Sequence, residues 1–217
     1  MNNLEITKMI IDYGKNMLDQ GLTRGTVGNI SYAPRDKDYI FITPSGVPYR
    51  EIQHHQIPRV DYTGKKLDPN KPDPSSETPM HTLIYKSKES VNAIVHTHSP
   101  FASTIATIGK SIPPIYYLIA NIGDEVPLAE YETYGTKEIA EAAIEALGER
   151  KGVLLEKNGA LAVGEDLESA YETACLIEEL AMIYYRVLST GVTPEPLDEN
   201  EVRTLQEKFQ DYGQFSM

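Results

Sequence analysis

The chain has 217 residues, 41% hydrophobic and 24% charged, with no internal repeat or low-complexity stretch, and reads as one globular domain with a sizeable core. Its formal net charge of −12, from 20 basic and 32 acidic residues, argues against a nucleic-acid surface, although backbone N–H groups, hydroxyls or a metal ion can still hold a small anion locally. No apolar run reaches membrane-spanning length and the N-terminal stretch, Met1 to Glu5, lacks the basic and apolar regions of a signal peptide, so a cytoplasmic protein with no membrane association is expected.

In chain order, Ile6, Met9, Ile10, Tyr13 and Met17 recur at helical spacing, predicting an amphipathic helix over Leu4 to Gln20 that Gly21 stops. Gly25-Thr26-Val27-Gly28-Asn29-Ile30-Ser31-Tyr32 is a small-residue run entering a short strand, and its glycines allow close backbone approach. Tyr39 to Thr43 predicts a strand, and Pro44-Ser45-Gly46 turns the chain directly after it. Gly28-Asn29 and Ser45-Gly46 are thus two loops of one chemistry, readable either as plain turns or as backbone donors for an anion. Thr63-Gly64 reads as a turn, and Asp68 to Ser75, with three prolines, as loop.

In Pro74-Ser75-Ser76-Glu77-Thr78-Pro79-Met80-His81 a serine is expected to cap a helix from about Thr78 to Lys88, with Pro79 tolerated in its first turn. Glu77 then sits at a helix N-terminus, where partial positive charge favours a carboxylate and anions; simple capping is the alternative. Val91 to His98 is a β-branched run ending in His96-Thr97-His98. Side chains at i and i+2 share a strand face, so both imidazoles are presented together: a partial metal site, or two surface histidines.

Ser99-Pro100 opens a helix to Gly109. Ile112 to Asn121 reads as a core strand, with one of Tyr116 and Tyr117 facing a cleft or a partner subunit. Tyr134-Gly135-Thr136 leads into a helix bearing Ile139, Ala143 and Leu147. Lys157-Asn158-Gly159 joins the apolar runs Gly152 to Glu156 and Ala160 to Val163, a strong hairpin signal in which Asn158 needs no role beyond the turn. Asp166 to Thr190 is a long helix in which the lone cysteine, Cys175, reads as a small buried hydrophobe rather than a nucleophile. Asp198 to Glu201 has capping-box spacing for a last helix to about Phe209, and Tyr212 and Phe215 in the tail either cover a site or fray.

A glutamate, two imidazoles and two small-residue loops suit an open zinc site beside a phosphate grip. In this order and spacing the motifs Gly25 to Ser31, Ile42 to Gly46, Pro74 to Glu77, His96 to His98, Tyr134 to Thr136 and Glu207 to Gly213 resemble the class II, zinc-dependent aldolases of the fuculose-1-phosphate aldolase and ribulose-5-phosphate 4-epimerase type. The resemblance implies a single-domain three-layer α/β/α fold around a mostly antiparallel sheet, and a homotetramer with active sites between subunits. It implies Zn2+ held by Glu77, His96 and His98, with Glu77 also the general acid/base. Gly28, Asn29, Ser45, Gly46, Ser75 and Ser76 fall where the family holds the substrate phosphate. Tyr117 matches a tyrosine that reaches in from a neighbouring subunit to handle the alkoxide proton, and Tyr212 one that closes over the substrate.

The expected reaction is cleavage of a ketose 1-phosphate such as fuculose 1-phosphate to dihydroxyacetone phosphate and an aldehyde. Pentulose-5-phosphate epimerisation, methylthioribulose-phosphate dehydration and a metal-depleted scaffold like the adducin head are the alternatives. One departure stands out: the family's hairpin carries a further histidine ligand where this chain has Asn158. An amide oxygen is a poorer partner for zinc than imidazole, which opens the site to Mn2+ or Co2+. His54, His55 and His81 are the remaining imidazoles; His81, one helical turn beyond Glu77, is the nearest substitute, but Asn158 or water is expected to complete the shell.

Overall fold

A computed structural model of the chain describes residues 1–210; Tyr212 and Phe215 lie outside the described residues. The strands are β1 (Asn29–Tyr32), β2 (Tyr39–Ile42), β3 (Arg59–Asp61), β4 (Ala93–Thr97), β5 (Leu128–Ala129), β6 (Gly152–Leu155) and β7 (Gly159–Gly164). The helices are α1 (Asn3–Asp19), α2 (Thr78–Ser87), α3 (Pro100–Thr107), α4 (Lys137–Leu147), α5 (Leu167–Ser189) and α6 (Glu199–Gln210). The strands form one sheet in the order β3-β2-β1-β4-β7-β6-β5, antiparallel throughout except for the β5–β6 edge pair. No helix among the described residues is long and apolar enough to cross a membrane.

Strand alternation divides the core in two. Ile30, Phe41, Val95, Leu154 and Ala162 point to one face and pack under α1, α3 and α5; Ile40, Ile42, Ile94, Leu155 and Leu161 point to the other and pack under α2 and α4. The result is the three-layer α/β/α arrangement expected, and the alternation assigns His96, next to Ile94 and Val95 on the central strand β4, to the α2 side.

Three local expectations are corrected. Ile112 to Asn121 is not a strand: Ile112 alone pairs, with Val126, and Tyr117–Asn121 forms a 3-10 turn. Pro113 and Pro114 cause this, since neither has an N–H to give to a ladder. No serine caps α2. Glu77 occupies the cap position, while Ser75 makes a tight local turn in which its hydroxyl accepts from Glu77 N and its carbonyl accepts from Thr78. Cys175 is only half-buried and its thiol donates to Gln20 Oε1 at 3.2 Å, although burial does raise its pKa as an inert thiol requires.

Two glycines set how tightly β4 is flanked at its functional end. In β1–β4 pairing Asn29 lies opposite His96, and a Cβ on Gly28, at φ +74°, would come within 2.6 Å of the His96 carbonyl oxygen. In β4–β7 pairing Thr97 lies opposite Ala160, and a Cβ on Gly159 would press into the Thr97 carbonyl. Gly159→Ala should therefore force the hairpin away from β4 and cost about 3 kcal/mol by overpacking. A urea titration with an unchanged midpoint would show that β7 has slack at this point.

Candidate active site

Glu77, His96 and His98 come together as the sequence predicts, with one ligand atom from each lying within 4.8 Å of the others. Glu77 is brought by the N-cap of α2, His96 by the end of β4, and His98 by the segment that leads into α3. Glu178 of α5 anchors that segment by accepting from Phe101 N at 3.0 Å and Ala102 N at 2.8 Å, which satisfies two free donors of the α3 start.

Hydrogen bonds fix the orientation of His96. Its Nδ1 donates to the Ala160 carbonyl at 2.9 Å, so in the neutral ring the Nε2 lone pair faces Glu77 Oε2, 3.2 Å away. Two electron pairs at that distance repel unless a cation, proton or metal, lies between them. Glu77 Oε1, His96 Nε2 and the Asn158 side-chain oxygen are all buried without a hydrogen-bond partner, and such atoms are costly unless something satisfies them. A divalent cation fits this donor set: two imidazoles, a carboxylate and an amide oxygen.

Electrostatics agree with a cation there. Burial alone would raise the Glu77 pKa, but His96 and the Asn29 amide hold it below the ordinary carboxylate range. His96 is raised: burial opposes its charge, but Glu77, with the Ala160 carbonyl and the Asn158 side chain also favouring the charge, outweighs burial. Burial and the neighbouring His96 lower His98 to about 4, which favours a neutral imidazole at physiological pH.

Beside this cluster lies a cavity of about 450 Å³ lined by Gly28, Asn29, Ser45, Gly46, Ser75, Ser76, Glu77, His98 and Asn158. The segments carrying Ser45 and Ser75 are laced together: Ser45 N donates to the Asp73 carbonyl at 2.9 Å and Ser75 N to the Thr43 carbonyl at 3.0 Å. All six residues expected at the phosphate line the cavity. Tyr117 does not line this cavity; it is 46% exposed and its ring stacks near Phe209, with centroids 6.0 Å apart.

His81 is corrected as a substitute ligand. It is fully buried, with Nε2 2.5 Å from Asn29 Oδ1 and Nδ1 2.6 Å from Ser31 Oγ, leaving neither nitrogen for a metal. Thr26, Tyr134 and Lys157 also line the cavity and were not singled out from the sequence. Tyr134 was within reach of sequence reasoning, since Gly135 packs against the Ser76 carbonyl and so brings its motif to the phosphate loops. Lys157, at φ +56°, reads in the sequence only as a turn residue.

A three-layer α/β/α domain whose central strand leads into two imidazoles, facing a carboxylate beside a cavity, presents a cluster that could hold a divalent metal. The family follows from comparison: the model described as Class II Aldolase and Adducin N-terminal domain matches residues 8–185, and the chain belongs to that family. It is 42% identical over 205 residues to the 5-deoxy-D-ribulose 1-phosphate aldolase of Bacillus thuringiensis serovar kurstaki, covering 94% of this chain and 95% of that one. It is 36% identical over 214 residues to the L-fuculose phosphate aldolase of Escherichia coli K12, covering 98% of each. A solved L-fuculose 1-phosphate aldolase superposes with a TM-score of 0.91 at 36% identity, over 95% of this chain and 96% of that one. The protein is therefore an enzyme, an aldolase of the lyase class, and the scaffold alternative is set aside.

Asn29 is the residue whose removal should separate packing from ligand placement, because its Nδ2 donates to Glu77 Oε2 at 2.8 Å. Asn29→Ala should weaken divalent-ion binding about tenfold in a calorimetric titration, as loss of a hydrogen bond behind a metal ligand does. Unchanged affinity would mean that Glu77 needs no such support.

Proposed function

We propose that the protein cleaves a deoxy-ketose 1-phosphate reversibly to dihydroxyacetone phosphate and an aldehyde. The observation that carries this reading is a buried carboxylate set against two imidazoles at the edge of a cavity lined by Gly28, Ser45, Gly46, Ser75 and Ser76. The names of the two relatives, which act on deoxy-ketose phosphates, support the substrate class. Epimerisation and dehydration gain no comparable support.

Glu77, His96 and His98, with the Asn158 amide oxygen, would hold the divalent cation, which when bound supplies Lewis acidity toward the adjacent oxygens of the ketose. The Ser45-Gly46 and Ser75-Ser76 loops and Gly28 bind the phosphate and so fix the donor carbon near Glu77. Glu77 Oε2 already accepts from Asn29, which leaves Oε1 to take the donor carbon's proton in condensation and return it in cleavage. Tyr117 gives a proton to the new alkoxide in condensation and takes it back in cleavage. Its exposure on a turn outside its own chain's cavity supports a homotetramer in which it serves a neighbouring subunit. Tyr212, from the tail, would close over the bound substrate.

Three measurements test this reading. Purified protein loaded with zinc, manganese or cobalt should cleave 5-deoxyribulose 1-phosphate or fuculose 1-phosphate, and Glu77→Gln should slow exchange of the donor-carbon proton by about a thousandfold while the cation stays bound. Exchange at the wild-type rate would remove Glu77 from its role. Asn158→His should tighten zinc by about tenfold or more, because imidazole replaces an amide oxygen. Equal affinity in the two proteins would place residue 158 outside the metal shell.

A further inference from the structure

Behind Glu77 runs a line of buried polar side chains that the proposed chemistry does not use. Tyr85 Oη lies 2.7 Å from Ser31 Oγ, Ser31 Oγ lies 2.6 Å from His81 Nδ1, and His81 Nε2 lies 2.5 Å from Asn29 Oδ1. Asn29 Nδ2 then reaches Glu77 Oε2 at 2.8 Å. Ser31 and His81 are fully buried, Asn29 is 3% exposed and Tyr85 7%. Four hydrogen bonds sunk in the core for capping or packing alone would be a poor bargain, since apolar groups would fill the same space at less desolvation cost.

The geometry arises from a match of two periods. Glu77, His81 and Tyr85 follow one another at four-residue intervals along α2, a rise of about 6 Å per step. Asn29 and Ser31 are alternate residues on one face of β1, spaced about 6.6 Å. The near-equal steps let the two sets of side chains interleave, so each strand residue bridges two helix residues.

Donor and acceptor roles along the line follow from one end. A carboxylate accepts only, so the Asn29 NH2 must face Glu77, and Oδ1 is left to face His81. His81 Nε2 must then carry the hydrogen and Nδ1 must accept, Ser31 must donate to it, and Tyr85 must donate to Ser31. We propose that His81, set by Ser31 and Tyr85, is a positioning residue that locks the Asn29 amide with its NH2 on Glu77 and so keeps the working carboxylate in place. The inference rests on Glu77 acting as the base of the proposed aldolase reaction.

The experiment is nitrogen-15 NMR of histidine-labelled protein loaded with zinc, paired with donor-carbon proton exchange in dihydroxyacetone phosphate. His81, identified by the signals lost in His81→Gln, should show a protonated Nε2 and a bare Nδ1. In Ser31→Ala, Nδ1 loses its donor and its signal should shift, and kcat for exchange should fall about tenfold with KM unchanged, because the Asn29 amide and the carboxylate it faces are held less firmly. His81→Gln, which keeps one donor and one acceptor, should retain more exchange activity than His81→Leu.

A bare Nε2 in the wild type, or a Ser31→Ala spectrum identical to it, overturns the relay. So does a Leu variant as active as the Gln variant. Failure of the aldolase reading is separable: a protein without exchange activity whose His81 nonetheless shows the protonated Nε2, and whose Nδ1 signal shifts in Ser31→Ala, retains the hydrogen-bond relay and loses only the reaction assigned to it.

Discussion

Burying the Glu77 carboxylate to 7% exposure costs several kcal/mol unless charge and hydrogen bonds replace the lost water. Most of the site is that compensation. The Asn29 amide supplies a hydrogen bond to one oxygen, and the raised pKa of His96 favours a positive charge beside the carboxylate. A divalent cation would replace that proton with a larger charge, which makes the buried carboxylate tolerable and useful at once. The same buried setting explains why His98 stays neutral, since a second positive ring beside His96 would undo the balance.

The sheet makes this compensation possible by holding three backbones close at one end of β4. Asn29 comes opposite His96 from β1, and Asn158 precedes β7, which pairs with β4 through Thr97 and Ala160. Gly28 and Gly159 permit that closeness, and both occupy places where a methyl group would strike a β4 carbonyl. The glycine beside a predicted phosphate loop is thus a packing requirement as well as a possible backbone donor. Its φ of +74° allows the chain to turn sharply into β1 directly after the loop.

Much of this was legible in the chain. The unbroken β-prone run Tyr39 to Thr43 and the three- and four-residue spacings along α1 marked their elements, and His96-Thr97-His98 with Glu77 marked the candidate metal cluster, because each signal is local. Ile112 to Asn121 was misread because hydrophobicity outweighed two adjacent prolines whose missing donors forbid a ladder. The edge strands β3 and β5, of three and two residues, are too short for any periodicity to register. What His81 contacts was hidden for a different reason. One helical turn from Glu77 is near enough to suggest a shared ligand, but which neighbour an imidazole meets depends on β1, which lies about fifty residues earlier in the chain. The pairing of Asn29 and Ser31 with every fourth residue of α2 is visible in the sequence only once the strand and helix are known to lie side by side.

Asn158 brings these constraints together. The hairpin that carries it is fixed on one side by the close approach of Gly159 to Thr97 and on the other by the hydrogen bond from Asn158 N to the Leu155 carbonyl. Its side-chain oxygen is buried beside His96, the ring that also faces Glu77. An asparagine serving only as a turn residue would have no reason to bury that oxygen, because turn asparagines satisfy themselves on local backbone or water. In the proposed metal shell the substitution therefore changes the donor rather than its position. A two-imidazole, two-oxygen set is harder than the three-imidazole set it replaces, and harder sets narrow zinc's advantage over manganese or iron. A Lewis acid weaker than zinc would place more of the catalytic burden on how well Glu77 is held, and the buried relay behind it meets that demand.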